Sequence, residues 1–228
     1  MIHQSYVHGA SDKLLLGETL GVNFDKAASE WADRDALIVR HQNIRWTYAD
    51  LSREVDAFAA GLLALGLERG DRIGIWSPNN AEWVVTQYAT AKAGLILVNI
   101  NPAYRVSELE YALNKVGCRA LILASMFKSS DYVAMLRELA PEIDGCVPGT
   151  LKSAQLPNLS SAIQIGEVTA KGFFNFTEIA GLANDTHHQR IADLAGTLQF
   201  DDPINIQFTS GTTGFPKGAT LTHFNILN

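Results

Sequence analysis

Apolar residues recur at two different spacings along the first 140 residues of the chain. Separations of three and four residues, as in Leu51, Val55 and Phe58, predict amphipathic helices. Short continuous apolar runs, such as the one at 120–124, predict buried strands. The predicted helices are 20–31, 47–65, 81–93, 107–117 and 131–139, and the predicted strands are 36–40, 44–47, 72–77, 95–99 and 119–124.

Local signals mark where several of these helices begin and end. Thr47, with Asp50 three residues later, resembles a capping box at a helix start. Gly66 and Gly117 follow the last apolar positions of their helices, where glycine commonly ends a helix. Strands and helices then alternate through the region 72–139. This order predicts an α/β fold of parallel βαβ units with helices on both faces of the sheet.

The periodic pattern weakens after residue 145. Prolines, serines and glycines there predict loops, with one short helix within 179–194. Alternating residues at 204–208 predict a strand again. We therefore expect a first α/β subdomain at 1–145, an irregular connection at 146–200 and the start of a second α/β subdomain at 201–228.

The composition is that of a globular protein with a mild excess of negative charge. Hydrophobic residues make up 47% of the chain, and 18 Lys+Arg stand against 24 Asp+Glu. The resulting net charge of −6 argues against nucleic acid as a partner, because nucleic-acid binding needs a basic surface. No apolar run reaches the roughly 18 residues of a membrane span, and the N-terminal residues do not resemble a signal peptide. We therefore expect no membrane span and a cytoplasmic location.

Cysteine, histidine and tryptophan side chains predict structural roles more readily than chemical ones. Cys118 and Cys146 lie among apolar residues, which favours buried and inert thiols. His187 and His188 lack the spacing of metal ligands and are expected in a solvated loop. Core packing is expected for the four tryptophans, Trp31, Trp46, Trp76 and Trp83.

The segment 209–218, with the sequence TSGTTGFPKG, carries the densest group of polar donors in the chain. Its glycines allow backbone N–H groups to approach an anion closely, while hydroxyls and one lysine add further donors. This chemistry suits a polyphosphate, although a plain surface turn would have a similar composition. The segment differs from the NTPase phosphate loop, because the chain contains neither a Gly-Lys dipeptide nor a Gly-x-Gly-x-x-Gly motif.

The stretch 206–217 resembles the AMP-binding signature of the adenylate-forming superfamily at every fixed position. That superfamily includes acyl-CoA synthetases, luciferases and peptide-synthetase adenylation domains. The resemblance extends along nearly the whole chain and is weak only between residues 145 and 200. Four upstream segments are similar to fatty-acyl-CoA synthetases: WTYADL at 46–51, GLERGDR at 66–72, SPNN at 77–80 and NINPAYRVSELEYAL at 99–113.

The resemblance implies a two-step fatty acid–CoA ligase that uses ATP, Mg²⁺ and coenzyme A. ATP would first convert a fatty acid to an acyl-adenylate, and the thiol of coenzyme A would then displace AMP. The residues implied in binding the phosphates are Thr209, Ser210, Gly211, Thr212, Thr213, Gly214 and Lys217. Thr212 is also implied near the Mg²⁺. His223 is expected to cap the next helix rather than to transfer a proton.

The superfamily's adenine and ribose motifs and its catalytic lysine have no match in these 228 residues. We therefore expect an N-terminal piece of a longer ligase, with no catalytic residue of its own and no activity alone. The alternatives are an aryl-CoA ligase, a peptide-synthetase adenylation domain, and a non-catalytic nucleotide-binding or scaffold module.

The sequence also predicts that copies of the chain associate. The strand 204–208 is expected to belong to a second sheet whose other strands lie beyond residue 228. Unpaired strand edges and uncovered apolar side chains recruit other chains. We therefore expect copies of this chain to associate through Ile204, Ile206 and Phe208.

Overall fold

The computed structural model describes residues 12, 14–209 and 216–228 of the chain. Its helices are α1 (Leu20–Glu30), α2 (Tyr48–Ala64), α3 (Ala81–Lys92), α4 (Val106–Val116), α5 (Tyr132–Leu139), α6 (Asp185–Ala195) and α7 (His223–Leu227). Its strands are β1 (Asp35–Val39), β2 (Ile44–Thr47), β3 (Arg72–Trp76), β4 (Ile96–Asn99), β5 (Cys118–Ala124), β6 (Met126–Phe127), β7 (Ser130–Asp131), β8 (Ser161–Ile165), β9 (Phe174–Asn175), β10 (Pro203–Thr209) and β11 (Lys217–Thr222).

The predicted helix boundaries are supported by the contacts at their ends. The Asp50 backbone N–H donates to Thr47 Oγ1 at 3.2 Å, and the Asp50 carboxylate accepts the Thr47 backbone N–H at 3.0 Å. These two bonds form the predicted capping box at the start of α2. Gly117 ends α4 with a φ of 64°, a conformation that glycine adopts without steric cost.

Seven strands form the main sheet in the order β11–β10–β4–β3–β5–β8–β9. Every neighbouring pair is parallel except β10 and β11, which are antiparallel. Alternate strand residues face opposite sides: Ile122 packs in one apolar core with α2 and α3, and Leu121 packs in the other with α4 and α5. The α/β fold with helices on both faces is thus confirmed.

The strand β10 occupies a different place from the one expected for it. It pairs in parallel with β4 on one side and in antiparallel with β11 on the other, so it extends the sheet of the first 145 residues. Ile204 and Ile206 are buried in this arrangement. The expected open edge at β10 was therefore wrong, because β4 supplies its pairing partner. A subdomain boundary near residue 200 stays a prediction.

The region 146–200 contains more regular structure than its sequence pattern predicts. β8 pairs with β5, and β9 pairs with β8, so both lengthen the main sheet. The turn at Ile179 packs closely on α2: a Cβ at Gly61 would lie 2.2 Å from the Ile179 carbonyl oxygen. A short helix is present as α6, within one residue of the predicted end. The periodicity missed β8 because all five of its residues are buried, including polar ones.

The tryptophans divide between the core and the surface. Trp76 is fully buried and its ring stacks on Tyr132, with ring centroids 3.6 Å apart. Trp46 and Trp83 are partly buried against the core that contains α2 and α3. Core packing was wrong for Trp31, which is 37% exposed. Trp31 lies just past the end of α1, where its ring tilts against Tyr48 at a centroid distance of 6.0 Å.

Candidate functional site

The predicted phosphate-binding segment is held between the two strands of an antiparallel hairpin. Thr209, the last residue of β10, pairs with Lys217, the first residue of β11. The Thr209 hydroxyl donates to the Lys217 carbonyl oxygen at 3.4 Å, and both residues are exposed. The two described ends of the segment therefore lie side by side. Ser210, Gly211, Thr212, Thr213 and Gly214 lie outside the described residues.

The hairpin opens at the carboxyl edge of the parallel strands. β10 runs parallel to β4, with Gln207 opposite Asn99, the last residue of β4. The order of the strands reverses here: the chain goes from β3 to β4 on one side of it, and then to β5 on the other side of β3. α3 covers one face after β3, and α4 covers the opposite face after β4. Ligands of open α/β sheets bind at such a switch point, outside the carboxyl ends of the strands.

Side chains from α3 and α4 attach the hairpin to the rest of the fold. Asn205 of β10 is fully buried, and its amide exchanges two hydrogen bonds with the Gln87 amide at 3.0 and 3.1 Å. The Tyr111 hydroxyl donates to the Pro216 carbonyl oxygen at 3.1 Å. The Tyr111 ring also meets the Phe208 ring edge-on, with centroids 6.4 Å apart. These contacts join positions more than 95 residues apart in sequence to the two strands that hold the segment.

The chain matches the AMP-binding enzymes over residues 24–228. It belongs to the AMP-binding enzyme family. The bovine (Bos taurus) mitochondrial medium-chain acyl-CoA ligase ACSF2 is 48% identical over 227 residues, which cover 98% of this chain and 36% of that protein. The putative acyl-CoA synthetase YngI of Bacillus subtilis is 37% identical, over 94% of this chain and 39% of that protein. The chain thus spans little more than a third of the length of these relatives.

Several solved structures share the fold. The anthranilate CoA ligase AuaEII in complex with anthranoyl-AMP aligns with 92% of this chain and 36% of its own, with a TM-score of 0.73 and 23% identity. The inhibitor-bound N-terminal domain of FACL13 from Mycobacterium tuberculosis aligns with 90% of this chain and 44% of its own, with a TM-score of 0.70 and 24% identity. At these identities the alignments establish the fold and not the substrate.

His223 of this AMP-binding chain is a buried structural residue. Its Nδ1 accepts the Leu20 backbone N–H at 2.9 Å, so it satisfies the start of α1. The start of α7 is capped instead by Thr222, whose Oγ1 accepts the Asn225 N–H. The expected capping role was therefore assigned to the wrong helix. Burial lowers the pKa of His223 to about 4, although the nearby Asp202 carboxylate opposes this change.

Other groups with potential chemistry lie away from the hairpin. Burial raises the pKa of the Cys118 thiol to about 12, which keeps it protonated and inert. His187 and His188 lie in the first turn of α6 and not in the expected loop. The residues that the structure describes contain no group of three or more His, Cys, Asp or Glu placed to hold a metal ion.

None of the helices in the described part of the AMP-binding chain combines the length and apolar character needed to cross a membrane. The cytoplasmic location stays a prediction, since several of the relatives carry the word mitochondrial in their names.

Two residues that hold the hairpin, Tyr111 and Gln87, were not found by sequence reasoning. In the sequence, Tyr111 is only part of a stretch similar to acyl-CoA synthetases, and its partner Pro216 lies 105 residues away. Asn205 did carry a signal: a polar residue flanked by Ile204 and Ile206 indicates either a solvent-facing strand position or a buried amide with a partner. The alternating pattern alone does not distinguish these two cases, and the structure shows the buried amide with Gln87 as its partner.

Proposed function

We propose that this chain is part of an ATP-dependent, AMP-forming fatty acid–CoA ligase. The observation that carries the proposal is the position of the 209–217 segment. In a chain that belongs to the AMP-binding enzymes, its two ends lie at the carboxyl edge of the sheet, beside the switch point between β3 and β4. The glycines, hydroxyls and lysine of the segment have the donor chemistry that a polyphosphate requires.

The proposed reaction has two steps. In the first, a carboxylate oxygen of the fatty acid attacks the α-phosphorus of ATP, and the bond to pyrophosphate breaks. In the second, the thiol of coenzyme A attacks the acyl carbon, loses its proton, and displaces AMP to leave a thioester. The first step depends mainly on positioning and on neutralising phosphate charge, because little covalent chemistry falls to the protein.

Within this reaction the described residues would bind ATP and not transform it. Lys217 supplies an exposed cation at the start of β11, and Thr209 supplies a hydroxyl directly across from it. We assign both to the β- and γ-phosphates, together with the hydroxyls and amides of 210–214. Thr212 is assigned near Mg²⁺, which would neutralise the phosphate charge when bound. No residue of this chain is assigned a catalytic role.

The acid is proposed to be a fatty acid of medium length. Two features support this choice: the similarity of the 99–113 stretch to fatty-acyl-CoA synthetases, and the high identity to relatives named medium-chain acyl-CoA ligases.

Three further expectations remain proposals. They are a cytoplasmic location, self-association of the chain, and subdomain boundaries at residues 145 and 200. An unpaired edge of β10 does not support self-association, because β10 is paired on both sides.

The substitution Lys217→Ala tests the proposal in the longer protein that contains this chain. A charge-assisted contact to phosphate contributes roughly 1.5–3 kcal/mol. If that contact is made in the transition state, its loss slows the adenylation step about 10- to 100-fold. Fatty-acid-dependent exchange of pyrophosphate into ATP measures this step. Formation of the thioester from preformed acyl-adenylate should change far less.

A matched control is Lys171→Ala. Lys171 is also an exposed lysine, but it precedes β9 at the opposite edge of the main sheet. Its loss should leave pyrophosphate exchange unchanged. Equal losses in both steps for Lys217→Ala would contradict the assigned role. Exchange supported by an aryl or amino acid but not by any fatty acid would favour one of the other adenylate-forming enzymes, and absence of exchange with every acid would favour a non-catalytic module.

A further inference from the structure

Tyr111 lies on α4 and contacts both strands of the hairpin that carries the phosphate-binding segment. Its hydroxyl donates to the Pro216 carbonyl oxygen at 3.1 Å. Its ring meets the Phe208 ring edge-on, with an interplanar angle of 62°. Phe208 comes directly before Thr209, and Pro216 comes directly before Lys217. The half-buried side chain of Tyr111 therefore contacts the residue before Thr209 and the residue before Lys217.

Pro216 and Lys217 lie at the start of β11, and β10 is the only strand of the described residues that pairs with β11. β11 is the outermost strand of the main sheet, and its first four residues are exposed. Its pairing with β10 fixes the hairpin but leaves the outer side of β11 open. The bond from Tyr111 adds a second point of attachment, on a helix that is itself anchored by the buried residues Leu109 and Leu113. A tyrosine suits this role because it loses little conformational freedom on being fixed.

We propose that Tyr111 is a positioning residue for Lys217. By holding the backbone at Pro216, it keeps Lys217 at a fixed place on the carboxyl edge of the sheet before any ligand arrives. Prior ordering of this kind raises affinity, because less conformational freedom is lost on binding. Tyr111 acts through Pro216 and Lys217 and not by touching the phosphates. The inference rests on the proposed function only for the identity of the ligand, a polyphosphate.

The first test measures how tightly the backbone at Lys217 is held, with no ligand present. Trypsin cleaves after Lys217, and cleavage of a native chain requires local opening. Tyr111→Phe keeps the ring and its contact with Phe208 but removes the hydroxyl. Loss of the hydrogen bond to Pro216 should increase the rate of cleavage after Lys217 about 3- to 10-fold. Mass spectrometry of the 228-residue chain during brief digestion follows that bond specifically.

Tyr132→Phe is a closely matched control. The Tyr132 hydroxyl also donates to a proline carbonyl oxygen, that of Pro102, at 2.6 Å, but this bond joins α5 to the loop after β4, and neither partner belongs to the hairpin. This variant loses the same kind of bond, so the cleavage rate after Lys217 should stay within about twofold of wild type. Unchanged cleavage in Tyr111→Phe, or an equal increase in both variants, would overturn the inference. Phe208→Leu, which keeps the hydroxyl bond, should give a smaller increase than Tyr111→Phe.

The second test measures binding of inorganic pyrophosphate to the same chains by titration calorimetry. Tyr111→Phe should weaken binding about 3- to 10-fold, and Tyr132→Phe should not. Faster cleavage in Tyr111→Phe with unaltered pyrophosphate affinity would overturn the positioning role. A wild-type chain that binds no pyrophosphate would instead count against the proposed function of the segment. The cleavage rates would still decide whether Tyr111 holds Lys217, so the two failures are distinguishable.

Discussion

The central strand β5 and the hairpin β10–β11 belong to one sheet but are held in different ways. In β5, the side chains of Leu121, Ile122 and Leu123 are fully buried, because helices cover both faces of the sheet there. In the hairpin, most of β11 is exposed. Besides the pairing of β10 with β4, the hairpin is attached by side-chain hydrogen bonds between Gln87 and Asn205 and from Tyr111 to Pro216. The adjoining helix α7 is anchored by the bond between His223 and the Leu20 N–H.

The difference separates what stabilises the fold from what shapes the candidate site. An apolar interior depends on many contacts of similar kind, and a substitution that keeps volume is tolerated. A polar anchor depends on two particular atoms, and removing one leaves the other buried without a partner. We therefore expect substitutions in β5 to lower the free energy of unfolding of the whole chain. Substitutions at the anchors should affect the hairpin first.

The largest expected effect is in the central strand. Ile122→Ala removes a fully buried side chain and leaves a cavity between β5 and α2, which should lower the free energy of unfolding by about 2–5 kcal/mol. Urea denaturation followed by circular dichroism measures the change. Ile38→Ala is the control, because Ile38 is 53% exposed and its loss should cost no more than about 0.5 kcal/mol. Similar losses at the two positions would contradict the contrast drawn between interior and surface.

The second prediction concerns pH and the anchor at His223. Its pKa is about 4 in the folded chain against an ordinary value of 6.5, because burial disfavours the charged form. Above about pH 6.5 the ring is neutral in both states, and stability is unaffected by its titration. Between pH 6.5 and 4, His223 is protonated in the unfolded chain but stays neutral in the folded chain. Stability should therefore fall as the pH falls, by up to about 3 kcal/mol in total from this group.

The variant His223→Asn separates the contribution of His223 to the pH dependence of stability from the contributions of all other ionisable groups. An asparagine oxygen can accept the Leu20 N–H in place of Nδ1, but it does not titrate. The free energy of unfolding, measured from pH 7 to 4, should therefore fall less steeply in the variant than in wild type. Identical pH profiles would show that His223 is not the group responsible.

The smallest expected effect is at the amide pair that joins β10 to α3. Asn205→Leu leaves the Gln87 amide without its partner, and Gln87→Met does the same to the buried Asn205, so each should cost about 1–3 kcal/mol. The double variant removes both polar groups and should cost less than the sum of the single changes. A double-mutant cycle by urea denaturation gives this coupling. Strict additivity would mean that the two amides do not stabilise the hairpin together.

Much of the fold could be predicted because its signals are local. The capping box of Thr47 and Asp50 and the glycine that ends α4 act within a single turn of chain, and both were found. β8 could not be found in that way, since Gln164 is buried and hydrogen-bonded to Ser125 Oγ, which lies 39 residues earlier. Its polar side chain is satisfied by a distant partner, and periodicity carries no information about distant partners.

The same contrast between local and distant signals applies to the candidate site. Lys217 and Thr209 were named from a motif that is continuous in sequence, and the structure places them opposite each other. The supports of that motif could not be named, because Tyr111 and Gln87 reach it from helices that precede it by about a hundred residues. The misplacement of β10 has the same origin. Its neighbour β4 ends at Asn99, and nothing in the alternating pattern of 204–208 identifies that strand as its partner.

The late pairing of β10 with β4 has a consequence for synthesis of the chain. β4 leaves the ribosome about a hundred residues before β10, an interval of roughly 5–20 s at ordinary rates of translation. During that time β3, β5 and α3 can assemble, while the outer edge of β4 presents unpaired N–H and C=O groups to the surroundings. The nascent chain is thus exposed to mispairing at β4 until Asn205 arrives. Faster or slower translation between residues 100 and 203 should therefore change the yield of correctly folded protein more than the same change after residue 209.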